Sequence, residues 1–96
     1  MTKITLIAHI TSHADKADIV QTALKELAEH TRAEDGCMQF NVHRDQENQA
    51  HFMLIENWIS RELWQIHMES QHLQNYLKNT DGLIDTQSFF EMPQIA

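Results

Sequence analysis

The chain is short of everything that punctuates or cross-links a backbone: two glycines, one proline and one cysteine in 96 residues. Gly36 and Gly82 lie far apart, so a glycine-rich phosphate loop and a dinucleotide-binding fingerprint are both excluded. Cys37 has no second thiol to pair with in its own chain, so a reduced, cytoplasmic setting is the expectation. Cations are scarce as well. Seven Lys and Arg stand against fourteen Asp and Glu, a formal net charge of −7 with His neutral. Nucleic acid and anionic membranes select basic surfaces, so neither is an expected partner. No apolar run approaches membrane-spanning length, and the N-terminus lacks the apolar stretch of a signal peptide. With no linker, repeat or low-complexity segment, residues 1–96 read as one soluble domain with a small core.

What is present is periodicity, and it changes along the chain. Residues 3–10 carry Ile4, Leu6, Ile7 and Ile10 in imperfect alternation and predict a strand. Thr11–His13 reads as a turn, with Ser12 and Asp15 resembling a helix-capping pair. Over 15–33 an apolar stripe of Ile19, Val20, Ala23, Leu24, Leu27, Ala28 and Thr31 predicts a helix, stopped by Asp35-Gly36. Residues 37–44 set Met38, Phe40 and Val42 against Gln39, Asn41 and His43, a strand pattern. After a polar turn at 45–48, residues 50–58 alternate again. Phe52, Leu54, Glu56 and Trp58 share one face, Met53 and Ile55 the other, and the two strands form a hairpin. Ser60 and Ser70 are the expected N-caps of short helices over 60–69 and 71–79. Asp81-Gly82 breaks the second, and 85–92 returns to strand before Pro93.

The order β-α-β-β-α-β predicts an α+β, ferredoxin-like fold, an antiparallel sheet with helices on one face. Several strands are apolar on both faces. A second copy of the chain is the simplest cover for the helix-free face, which predicts a homodimer packed sheet on sheet.

Chemistry-bearing side chains crowd into 56–76. His67 follows Leu63 and Trp64 by one helical turn, so the three share a face. Glu56 and Trp58 share a strand face with Leu54. If the two faces meet, a carboxylate and an imidazole lie in an apolar pocket, where they could act as general base and orienter for a weakly acidic phenol. The plainer alternative is a buried histidine bonded to backbone and an ordinary strand-end acid. Trp58 and Trp64 suit the walls of a slot for a planar ligand, or simply core. His72 and Tyr76, one turn apart, are candidates for the pocket mouth. His9 is a further candidate whose strand face the sequence leaves open. Seven histidines raise the question of a metal. With no H-x-H or H-x-x-E cluster and a solitary Cys37, no metal site is expected.

Three segments together resemble the antibiotic biosynthesis monooxygenase family, a group of dimeric α/β-barrels built of ferredoxin-like halves. Glu34-Asp35-Gly36-Cys37-Met38-Gln39-Phe40 resembles its E-x-G-C-x-x-F/Y junction. Phe52-Met53-Leu54-Ile55-Glu56-Asn57-Trp58 resembles its strand ending in E-x-W. His67, Ser70, His72, Leu73 and Tyr76 resemble its H-x-x-S/T-x-H-F/L-x-x-F/Y helical stretch. The resemblance covers nearly the whole chain. It implies a small oxygenase that acts on a quinol or polyphenol with O2 and needs no flavin, haem or metal cofactor, because the substrate phenolate supplies the electron that activates oxygen. It also implies His67 as base or anchor, Glu56 as its partner, and Trp58, Trp64 and Tyr76 as lining. The haem-ligating histidine of haem-degrading members falls near Leu77 here, so haem breakdown is not expected. A further branch isomerises a phosphorylated signal molecule with the same Glu and His. An isomerase and a non-catalytic ligand-binding barrel therefore stay open beside the oxygenase.

Overall fold

The computed structural model describes residues 3–96. Four strands form one antiparallel sheet in the order β2-β3-β1-β4. They are β1 (Ile4–Ser12), β2 (Cys37–Arg44), β3 (His51–Trp58) and β4 (Ile84–Glu91). Three helices, α1 (Ala17–Thr31), α2 (Arg61–Met68) and α3 (Gln71–Asn79), cover one face. The result is the expected ferredoxin-like α+β arrangement, a slab 18 Å across its shortest axis.

Strand register explains which side chains meet the helices. Directly paired residues form rows across the sheet. The row Phe40, Glu56, Leu6, Glu91 and the row Val42, Leu54, Ala8, Phe89 face the helices. The intervening row Asn41, Ile55, Ile7, Phe90 faces away. Because side chains alternate with period two, one strand face is core and the other lacks a helical cover. Ala8, Ile10, Phe40, Phe52 and Leu54 of the inner face pack with Val20, Leu24, Leu27 and Ala28 of α1.

Several sequence expectations shift in detail. Thr11 and Ser12 continue β1 instead of turning. Thr11 pairs with His51 and Thr86, and the Ser12 N–H donates to the Ala50 carbonyl at 2.9 Å. Ser12 is therefore no helix cap. A single 3₁₀ turn, Ala14–Lys16, leads into α1 without a side-chain cap. Ile19 is 52 % exposed and drops out of the buried stripe of α1. Ala17 opens that stripe instead, one turn before Val20, and Ala23 and Leu24 continue it. Met38 does not share a face with Phe40. A bulge sets Cys37 opposite Trp58 and Gln39 opposite Asn57, so Met38 is the extra residue and points to solvent. The two serine caps hold as read: Ser60 Oγ accepts from the Leu63 N–H and Ser70 Oγ from the Leu73 N–H, each at 3.3 Å.

Candidate active site

Gly36 places the site's first acid. Its φ of +83° is a left-handed conformation, and a Cβ there would collide with the Leu63 side chain, 2.8 Å from its Cβ. Glycine lets the segment between α1 and β2 turn tightly against α2. That close approach brings Glu34 under the two short helices. His67 Nδ1 lies 2.5 Å from Glu34 Oε2, and His72 Nε2 lies 2.9 Å from the same oxygen. A carboxylate oxygen only accepts, so each of these nitrogens carries a hydrogen. A neutral His67 in this tautomer keeps Nε2 as its free lone pair.

His67 is almost wholly buried, at 2 % exposure. Its ring lies 4.8 Å from the Trp58 ring and meets Phe40 edge-on at 6.0 Å. These two fully buried aromatics, one from each strand of the hairpin, fix the imidazole plane.

Beside it opens an apolar cavity of about 380 Å³. Its floor is Leu6, Ala8, Phe40, Leu54 and Glu56 of the sheet; Trp64, His67, Leu73 and Tyr76 are among its helical walls. Leu77, Met68 and Phe89 also line it and are each at least 45 % exposed, so they mark its outer rim. Volumes of this order suit a small organic ligand. Glu56 is the one carboxyl on the lining. Burial pushes its pKa up, and the Trp58 indole N–H, which donates to its Oε1 at 3.0 Å, opposes that rise. Tyr76 is buried, its phenol pushed up to about 12 by burial against an opposing influence of the nearby Thr80 side chain, and its hydroxyl has no partner in good hydrogen-bond geometry among the described residues.

The sequence-predicted residues separate into three groups. Glu56, His67, Trp64 and Tyr76 come together on the cavity wall. Trp58 backs His67 without lining the cavity, and His72 joins through Glu34. His9 lies elsewhere. It pairs with Met53 and Ser88 on the helix-free face, where its Nδ1 is 2.9 Å from His51 Nε2. One pairing also changes. The hydrogen-bond partner of His67 Nδ1 is Glu34, while Oε1 of Glu56 accepts from its strand neighbour Trp58. In the sequence Glu34 stands out only inside the E-x-G-C segment; an acid after a helix gives no reason by itself to place it beside residue 67. Glu34, His67 and His72 also form a group whose ligand-type atoms lie within 4.8 Å of one another, a juxtaposition no short spacing motif encodes.

The family model for antibiotic biosynthesis monooxygenases matches residues 3–79. The chain belongs to this family. Among its relatives is YcnE of Bacillus subtilis, provisionally named a monooxygenase, 26 % identical over 81 residues that span 84 % of this chain and 85 % of YcnE. Solved structures superpose closely. PA3566 of Pseudomonas aeruginosa has a TM-score of 0.94 at 27 % identity, covering 100 % of this chain and 97 % of that one. A crystal structure of an antibiotic biosynthesis monooxygenase has a TM-score of 0.89 at 26 % identity, covering 97 % and 99 %. Rv0793 of Mycobacterium tuberculosis, at 22 % identity and TM-score 0.90, shares the fold over 99 % of this chain and 97 % of its own. As in the sequence, so in the structure: no described helix of this family member is long and apolar enough to cross a membrane.

Proposed function

We propose that the chain is a monooxygenase that oxidises a quinol or related polyphenol with O2, using no cofactor beyond the substrate's own electrons. The observation that carries this reading is that His67 and Glu56 line one apolar cavity of about 380 Å³. A flat phenolic ring fills such a space, and the imidazole is the group on its wall that can take a phenolic proton.

His67 Nε2 accepts the proton, and Glu34 on Nδ1 steadies the imidazolium that forms. The phenolate passes one electron to O2. The resulting radical pair combines to form a carbon–oxygen bond, and the peroxide anion takes the proton back from the His67 imidazolium to give a hydroperoxide. Cleavage of the O–O bond with loss of water leaves a hydroxyquinone, so quinol plus O2 balances hydroxyquinone plus H2O. The apolar lining excludes bulk water from the radical pair. Glu56, its pKa raised by burial, serves as the second polar contact for the ring oxygens.

The reading includes a homodimer. The helix-free sheet face carries Ile7, Ile55, Met53 and Phe90, and a second copy would bury them sheet on sheet.

Oxygen uptake with reduced menadione tests the chemistry. Uptake above the enzyme-free control, lost in His67→Ala, is the expected result. Wild-type uptake equal to that of the control and of His67→Ala would sink the oxygenase reading. Tight ligand binding without turnover, unchanged in His67→Ala and Glu56→Ala, would make the protein a binding module instead.

A further inference from the structure

We propose that Glu34, His67 and His72 form a binding site for one first-row divalent cation of the zinc, cobalt or nickel kind. The proposal goes beyond the oxygenase reading and its binding test does not depend on it.

The geometry supplies three donors converging on one point. Glu34 before β2, His67 on α2 and His72 on α3 each offer one donor atom, and these atoms all lie within 4.8 Å of one another. Both imidazoles address the same carboxylate oxygen. In the resting arrangement two N–H hydrogens fill the space between the three atoms; once each ring hydrogen sits on the opposite nitrogen, a single dication takes the three lone pairs at once. Metal–nitrogen and metal–oxygen bonds of about 2.0–2.2 Å set neighbouring donors roughly 3.3 Å apart in a tetrahedron. The present separations are 2.5 and 2.9 Å. Loading thus requires the Glu34 oxygen to withdraw by roughly 0.8 Å from His67 Nδ1 and roughly 0.4 Å from His72 Nε2.

The histidine rings are already held for this role. His67 is fixed between Trp58 and Phe40, and His72 stacks on His30 with ring centroids 5.8 Å apart. His67 is buried, whereas Glu34 and His72 keep 16 % and 21 % of their side chains in contact with solvent, which gives an ion a way in. Two imidazoles and one carboxylate favour borderline metals. Magnesium and calcium prefer all-oxygen shells, and copper(I) prefers sulfur. The surroundings are also electronegative. Glu34 and Glu56 repel one another across the site, and the whole chain is acidic.

A cation here has a defined chemical consequence. Coordination consumes the Nδ1 lone pair of His67, which moves the ring hydrogen to Nε2. The nitrogen proposed to accept the substrate proton becomes a donor. Metal loading and base catalysis at His67 therefore exclude each other, and the ion acts as an inhibitor.

Chelator-treated full-length protein is titrated with Zn2+ by calorimetry and with Co2+ by visible absorption. The expected result is one saturable site per chain with a tetrahedral-type cobalt spectrum. Affinity falls at least tenfold in Glu34→Gln and in His72→Gln, and is unchanged in His9→Gln. His72→Gln, at a partly exposed helical position, carries the test if Glu34→Gln does not fold. Absence of saturable binding, or equal affinity in wild type and His72→Gln, overturns the proposal. So does loss of binding in His9→Gln alone, which would place the ion on the opposite sheet face.

Discussion

Glu34 Oε2 lies 2.5 Å from His67 Nδ1, joining residues 33 positions apart in the chain. The contact fixes the imidazole's tautomer and aims its basic nitrogen away from the acid. Glu34→Gln removes the charge that stabilises the imidazolium. It is expected to lower kcat for quinol oxidation by about 10²-fold, within the usual range for general acid–base assistance, with a smaller effect on KM. A pH–rate profile checks the role. Loss of a purely structural contact would lower the rate without moving the profile.

Gly36 and Gly82 are both left-handed, with φ of +83° and +77°, but only Gly36 faces an obstacle. Gly82→Ala should cost about 1 kcal/mol, the strain of a side chain at positive φ. Gly36→Ala adds the collision with Leu63 and should cost about 3 kcal/mol or more. Denaturant unfolding of the two variants reads the difference. Equal losses would mean that α2 yields to the new methyl group.

Glu56 gives a pH signature. Burial raises its folded-state pKa above the ordinary carboxylate value of 4.5. Between the ordinary and the raised value the folded protein holds a proton that the unfolded chain has released. Stability must therefore fall as pH rises through that window and stay lower above it. Glu56→Gln should lose this decline and be more stable than wild type at neutral pH. Melting temperatures across the window, measured for both proteins, decide it.

The hydroxyl of Tyr76 is buried beside Thr80 without a partner in good hydrogen-bond geometry among the described residues. Tyr76→Phe should raise stability by about 1 kcal/mol, because an unpaired buried hydroxyl is costly. If the hydroxyl meets the substrate, the same variant raises KM. Thr31, whose Oγ1 is likewise buried and unpaired, offers a control: Thr31→Val should gain similar stability with no change in KM.

A homodimer predicts twice the chain mass by light scattering at micromolar concentration. Ile55→Asp, in the middle of the helix-free face, should yield monomers. A monomeric mass for wild type would remove the dimer from the proposed function.

The sheet and helices are readable in the sequence because each rests on a local pattern. The alternation of Phe52, Leu54, Glu56 and Trp58 and the serine caps at 60 and 70 need no tertiary information. The bulge at Met38 is not readable, since it exists only in the register between β2 and β3. The cavity residues on α2 and β3 follow from face periodicity, and the family resemblance singles out His67 and Glu56. His67's true partner does not follow, because Glu34 reaches it through the tight turn at Gly36 and not through any repeating pattern. His9 has no assignable face until its pairing with Met53 and Ser88 is known.

The central position of β1 has a kinetic consequence. It is the earliest strand in the chain, yet its neighbours are β3 and β4, and Leu6 pairs with both Glu56 and Glu91. Such distant pairings cost loop-closure entropy before they return any stability, which slows folding. During synthesis, β1 waits with both apolar faces uncovered until most of the protein has been made. That interval, and not the finished fold, is when the chain is most exposed to misassociation.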